Sequence, residues 1–185
     1  MENWQLIREA KQGSAAAEKC LFDQFAGKML AVCGRYVKSP EDAEELLLNG
    51  FFKFFTKINT FTYESDAALY QWLKKIMINE CLMFLRAKNV FTIVSEAVAE
   101  EIPLEDDALN NLSIDEIFKM IVQLPVGYRT VFNLHAIEGM SHAEIAAALG
   151  IAEGTSRSQY SKAKILLQKM LIQNDAQYAK RKSKG

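Results

Sequence analysis

The chain has 185 residues, 50% of them hydrophobic and 24% charged, with a formal net charge of −1. That composition excludes disordered and fibrous architectures and is enough for one medium domain or two small ones. No run approaches the roughly 18 to 20 uninterrupted apolar residues of a membrane-crossing helix, and the opening MENWQLIREAKQG has neither a basic nor an apolar leader region, so a cytoplasmic protein without membrane insertion is expected. The three cysteines, Cys20, Cys33 and Cys81, have no CxxC spacing and read as reduced, buried small hydrophobes.

Charge divides unevenly along the chain. Residues 1–95 carry +1, residues 96–149 carry −8 and residues 150–185 carry +6. A net-acidic chain is a poor freestanding nucleic-acid binder, because phosphate neutralisation supplies most non-specific affinity. If it binds DNA, a partner must help.

With only three prolines and nine glycines, and no sustained alternation of period two, the pattern is helical nearly throughout. A first helix is expected from Ser14 to Tyr36, with Leu21, Phe22, Phe25, Met29, Val32 and Tyr36 inward. Ser39, Pro40, Glu41 and Asp42 read as an N-cap, a first-turn proline and first-turn acids. From there Ala43, Leu46, Leu47, Gly50, Phe51, Phe54 and Ile58 form one stripe at spacings of three and four, the core face of a helix of about five turns. Opposite that stripe, Leu48 and Phe52 are an apolar pair among Asp42, Glu45, Asn49 and Lys53. They are either a binding patch or a surface covered by another helix of the same module.

Residues 59–66, NTFTYESD, form a polar loop carrying Phe61 and Tyr63. A helix from about Ala67 to Arg86 is apolar on more than one side and belongs centrally among its neighbours. On one of its faces lie Trp72, Lys75, Asn79 and Arg86. With the two loop aromatics, these residues have the chemistry to hold a nucleic-acid strand, although a tryptophan at helical spacing also suits a core.

Residues 96–112, with six acidic groups, no basic ones and a proline, read as a linker between two all-helical modules. The second module opens on Ser113-Ile-Asp-Glu116, a capping-box spacing, and Leu124-Pro125 closes that helix. The next runs from Val126 to Ile137. Ser141-His-Ala-Glu144 is a second capping box, starting a short helix that ends near Leu149 with Gly150 placed for a left-handed residue. Thr155 is then expected to cap a long last helix, giving a helix-turn-helix. Taking about 100° per residue, Tyr160, Ala163, Leu166, Leu167, Met170 and Leu171 gather on one side. Arg157, Ser158, Ser161, Lys162, Lys164 and Gln168 occupy the other. Short hydroxyls among cations at the start of a helix suit the major groove, and the bland alternative is a solvated basic face.

No catalytic constellation is present: HExxH, GxSxG, Walker and GxGxxG sequences are all missing. His135 and His142 fall on different expected helices, and a metal site with Glu144 has little support. No cofactor and no enzyme activity are expected.

Two stretches carry a family resemblance. Glu41-Asp-Ala-Glu-Glu-Leu-Leu-Leu-Asn-Gly-Phe-Phe-Lys-Phe-Phe, followed by Trp72-Leu-Lys-Lys-Ile-Met-Ile-Asn79 and Leu85-Arg86, resembles region 2 of bacterial RNA polymerase sigma factors. Leu124-Pro-Val-Gly-Tyr-Arg, then Glu138-Gly-Met-Ser-His-Ala-Glu-Ile-Ala-Ala-Ala-Leu-Gly-Ile, then Gly154-Thr-Ser-Arg-Ser-Gln-Tyr-Ser-Lys-Ala-Lys resembles region 4. The likeness covers about residues 14–90 and 113–172 and is similar to the two-domain extracytoplasmic-function group of the sigma-70 family.

The resemblance implies an all-α protein with a region 2 domain at 1–95, a linker at 96–112, a region 4 helix-turn-helix domain at 113–173 and a basic tail at 174–185. It implies a non-catalytic specificity subunit that binds core RNA polymerase and promotes transcription initiation. Asp42, Glu45, Leu48, Asn49 and Phe52 would dock on the clamp coiled coil of the beta-prime subunit. Phe61, Tyr63, Trp72, Lys75, Asn79 and Arg86 would take the minus-10 element, and Thr155, Arg157, Ser158, Ser161, Lys162 and Lys164 the minus-35 element. Region 4 would also touch the beta flap, and an anti-sigma factor is a further possible partner. The family commonly has a Gln-Glu pair where Leu48 and Asn49 stand, and an Asp where Glu45 stands. The residues alone also fit a two-module regulator of duplex DNA, or an adaptor that binds proteins without opening DNA. Specific initiation with purified core polymerase separates these readings.

Overall fold

The computed structural model describes residues 2–88 and 114–182. The linker expected at 96–112 and the capping box expected at Ser113 lie outside them. The chain divides into two compact units, 1–88 and 89–185, and the described residues are helical with no strand.

The first unit contains α1 (Asn3–Lys11), α2 (Ala15–Gly34), α3 (Pro40–Lys57), a short 3-10 turn (Ile58–Thr60) and α4 (Asp66–Ala87). Side-chain caps fix three helix starts. Ser14 Oγ accepts from the Ala17 amide, Ser39 Oγ from Asp42 and Ser65 Oγ from Ala68, each satisfying a donor the first turn would otherwise leave open. On α3 the apolar stripe is buried as its spacing requires, through Ala43, Leu46, Leu47, Gly50, Phe51 and Phe54. Gly50 lets α4 approach: a side chain there would overlap the fully buried Met77 thioether. Helix α4 packs against both α2 and α3, which is why it buries Leu69, Leu73, Met77, Ile78, Cys81, Leu82 and Leu85. It also buries Glu80, and Lys53 of α3 reaches over to pair with that carboxylate at 2.6 Å.

Two features of this unit depart from the sequence expectation. Helix α1 stands where none is expected, burying Asn3, Leu6, Ile7 and Ala10 against its neighbours. Nine residues are too few for a helix stable in isolation, so its existence depends on that packing. Cys20 is exposed on the outer side of α2, whereas Cys33 and Cys81 are buried.

The second unit contains α5 (Ile114–Gln123), α6 (Val126–Phe132), a π-type turn (Asn133–Ile137), α7 (His142–Leu149) and α8 (Glu153–Lys182). Its core joins Met120, Ile121, Leu124, Tyr128, Ala163, Leu167 and Leu171. Arg129, 2% exposed, donates to the carbonyls of Val122 (2.9 Å) and Leu124 (3.4 Å), so a buried cation closes the carboxyl end of α5. The capping box at α7 forms in full: Ser141 Oγ accepts from the Glu144 amide, and the Glu144 carboxylate accepts from the Ser141 amide at 2.8 Å. Gly150 follows with φ +70°, the left-handed residue that reverses the chain into α8.

The start of α8 corrects the sequence expectation. The helix begins at Glu153, so Thr155 lies within its first turn and is not the cap. Gln168, assigned to the free side, is 6% exposed.

Candidate polymerase and nucleic-acid interfaces

Helix α3 turns its polar face outward, and on it Leu48 and Phe52 remain 59% and 73% exposed. No described helix of the unit covers them. Around them, Glu45 and Asn49 are exposed, while Asp42 is half-buried and pairs with Lys88 at 3.3 Å. An apolar Leu and Phe one turn apart, rimmed by polar groups, is the anatomy of a protein-binding anchor.

The second surface is built from the loop at 61–65 and the face of α4. Phe61 is buried, and its ring stacks on Trp72 with centroids 4.6 Å apart and planes 12° from parallel. Trp72 in turn leans on Phe54, centroids 5.1 Å apart. Phe61 is therefore the floor of this surface and not the exposed ring that its position in a polar loop implies. Tyr63, Lys75, Asn79 and Arg86 are the groups nearer solvent, Tyr63 half-buried and the other three exposed. The Tyr63 hydroxyl donates to Asp66 Oδ1 at 2.5 Å, which also accepts from Asn3 Nδ2 at 2.9 Å. The hydrogen bond to Asp66 pushes the Tyr63 phenol up to about 12, and the bonds from Tyr63 and Asn3 hold the Asp66 carboxyl below its usual range.

The third surface is the start of α8. Thr155, Arg157, Ser158 and Lys164 are exposed, and Ser161 and Lys162 are half-buried. Arg157 pairs with Glu153 one turn earlier. Lys164 Nζ lies 5.0 Å from the Tyr160 ring centre and Lys162 Nζ 5.9 Å from that of Tyr128.

Behind this surface is a cluster that sequence reading misses. His135 and His142 stack with centroids 4.3 Å apart, and Tyr160 meets His135 edge-on at 4.6 Å. His142 Nδ1 hydrogen-bonds to the hydroxyl of fully buried Ser156 (2.9 Å), tying α7 to α8, while His135 Nδ1 hydrogen-bonds to the Met140 carbonyl oxygen (2.7 Å) and holds the turn that leads into α7. Burial first, then the charges of His135 and Arg157, hold the His142 imidazole below its ordinary value. Among the described residues no group of three or more His, Cys, Asp or Glu forms a metal site. No helix there is long and apolar enough to cross a membrane.

Two family models match: Sigma-70 region 2 over residues 21–90 and Sigma-70, region 4 over residues 109–167. The chain is similar to the RNA polymerase sigma-H factor of Pseudomonas aeruginosa, 27% identical over 92% of this chain and 94% of that one. It is also similar to the ECF RNA polymerase sigma-E factor of Haemophilus influenzae, 26% identical over 88% of this chain and 92% of the other. Among solved structures, the sigma factor RpoE in complex with the anti-sigma factor NepR from Bartonella quintana matches with a TM-score of 0.48 and 24% identity, covering 84% of this chain and 96% of that one.

The chain belongs to the sigma-70 family of RNA polymerase sigma factors, in its extracytoplasmic-function group. It is a promoter-recognising transcription initiation factor whose partners are core RNA polymerase and promoter DNA.

Proposed function

We propose that the three surfaces divide the work of initiation. The exposed Leu48–Phe52 face of α3 docks on the polymerase clamp coiled coil, with Glu45, Asn49 and Asp42 at the rim. The loop at 61–65 and the α4 face carrying Lys75, Asn79 and Arg86 capture the unpaired minus-10 strand. The α8 residues Thr155, Arg157, Ser158, Ser161, Lys162 and Lys164 read the minus-35 duplex. The protein acts in the cytoplasm as a non-catalytic subunit, and an anti-sigma factor that covers these faces is its regulatory partner.

The observation that carries the reading is the aromatic floor under the loop. Capturing a base means repaying an unstacking cost of a few kcal/mol, and stacking beside cations does so. Phe61 stacked on Trp72 makes such a floor, with Tyr63 two residues on in the loop and Lys75 and Asn79 exposed on α4 three and seven residues after Trp72. Tyr63→Ala and Asn79→Ala proteins are therefore expected to bind core polymerase normally and form fewer open complexes on duplex promoter, measured by permanganate reactivity of unpaired thymines. A promoter already mismatched across the minus-10 region should restore much of the lost initiation. Wild-type opening by both variants would place the melting surface elsewhere.

A further inference from the structure

Helix α1 is tied to the two ends of the loop at 61–65. At its carboxyl end, Lys11 Nζ donates to the Phe61 carbonyl oxygen at 2.6 Å across fifty positions of sequence. At its amino end, Asn3 Nδ2 donates at 2.9 Å to Asp66 Oδ1, the same oxygen that accepts from the Tyr63 hydroxyl. Eight residues of helix separate Asn3 from Lys11, about 12 Å at a rise of 1.5 Å per residue. The extended stretch between Phe61 and Asp66 has a reach of roughly 16 Å, so the helix and the segment it spans are of comparable length. Asn3 is buried and Lys11 half-buried, and α1 also packs on the 3-10 turn that leads into the loop.

A loop of this kind ordinarily gains its order from its own turns. Here residues 61–65 adopt neither helix nor strand, and bonds from Lys11 and Asn3 tie the segment's two ends to α1. Order imposed from outside matters for base capture, because a strand that must also freeze a mobile loop loses that much binding energy.

We infer that Asn3 and Lys11 are positioning residues for promoter opening: α1 is a splint that sets the separation and tilt of the loop over the Phe61–Trp72 floor before DNA arrives. The inference rests on the loop being the surface that captures the minus-10 strand. Neither residue needs to touch DNA. Lys11 fixes where the Phe61 ring enters the stack, and Asn3 holds Asp66, which in turn holds Tyr63.

The test uses the full chain with core polymerase. Lys11→Met keeps the aliphatic stem and removes the donor, and Asn3→Ala removes the other tie. Each is expected to leave core affinity unchanged and to lower open-complex formation by about tenfold, the effect of losing one hydrogen bond near the upper end of its usual net worth. Preference among bases at the unpaired positions should flatten in both, and Lys11→Arg, which keeps a donor, should restore it. Ile7→Val thins the packing of α1 while keeping both the Asn3 and Lys11 ties, and serves as the stability control. If Ile7→Val at equal loss of thermal stability reproduces the flattened preference, α1 is a structural prop only and the inference fails. It also fails if Lys11→Met and Asn3→Ala open DNA normally while Tyr63→Ala does not. Normal opening by all three would instead overturn the loop itself as the capture surface.

Discussion

Phe52→Ala is the sharpest perturbation of the proposed docking face. In the free protein Phe52 is 73% exposed and Leu48 59%, so neither side chain contributes much to the fold. A phenylalanine presents roughly 200 Å² of surface, so burying the exposed part against a partner removes about 150 Å² from water, worth up to about 3–4 kcal/mol at 25 cal/mol per Å². Alanine keeps a fraction of that, and association offsets some of it, leaving about 2–3 kcal/mol, a thirtyfold to hundredfold loss of affinity. Leu48→Ala should lose less, and the charge changes Asp42→Asn and Glu45→Gln less again and chiefly at low salt. The assay is competition between unlabelled variant and fluorescent wild-type protein for purified core polymerase, with circular dichroism confirming the helix content. Trp4→Ala, which removes another exposed apolar group from the same unit, controls for general stickiness. A Phe52→Ala protein that competes within twofold of wild type, with its helices intact, would refute the reasoning.

On α8, if it reads the duplex as proposed, Arg157→Ala should cost about 1–3 kcal/mol at a preferred base pair, whereas Lys164→Ala should weaken all sequences alike and reduce the salt slope by about one. Because Glu153 holds Arg157 in the free protein, Glu153→Gln should raise duplex affinity a few-fold at low salt; quantitative footprinting with core polymerase present checks all three, and binding unaffected by any of them would mean a merely solvated face. The pH dependence follows from His142, whose folded value lies below the ordinary 6.5. Below that pH the unfolded chain binds the proton first, so the second unit should lose stability as pH falls through about 6.5 and level off once the folded imidazole also charges. Thermal melts from pH 8 to 5 should show this slope, and His142→Gln should flatten it; an identical slope in that variant would assign the effect to another group.

What was legible in the sequence was whatever depended on local chemistry or on one strong periodicity. The α3 stripe and its Ser39 cap follow from spacing and local chemistry, and spacing also puts Leu48 and Phe52 on the far side; that no described helix covers them is decided only by the tertiary structure. The Ser141–Glu144 box and Gly150 follow from backbone requirements that few residue types meet. What was not legible was set by tertiary partners. Helix α1 is too short to declare itself, and its Asn3 and Lys11 find their acceptors sixty-three and fifty positions away. Phe61 sits in a polar segment and is buried only because Trp72 offers it a ring. His135 and His142 belong to different elements, and no periodicity places one over the other. Thr155 looks like a cap because it is a good one, yet the backbone enters α8 two residues earlier.

The charge distribution explains why such a protein works through polymerase. With a net charge of −1, the chain as a whole gains little from phosphate neutralisation, and Arg157, the most forward cation of α8, is partly satisfied by Glu153 before any DNA is met. Each surface alone carries a cost: Arg157 of the α8 face must leave Glu153, and the loop surface, in the proposed reading, must repay unstacking. Each becomes effective if the other already holds the same promoter, because the second contact is then intramolecular, and avidity can exceed either affinity by a factor on the order of 10² to 10⁴. That gain requires both units to engage the same promoter at once. In the proposed reading, the Leu48–Phe52 face anchors the first unit on polymerase, which brings the rest of the chain to the same promoter. If that face is the polymerase anchor, Phe52→Ala should weaken promoter recognition on both elements together, and footprints that weaken at one element alone would refute the proposed coupling.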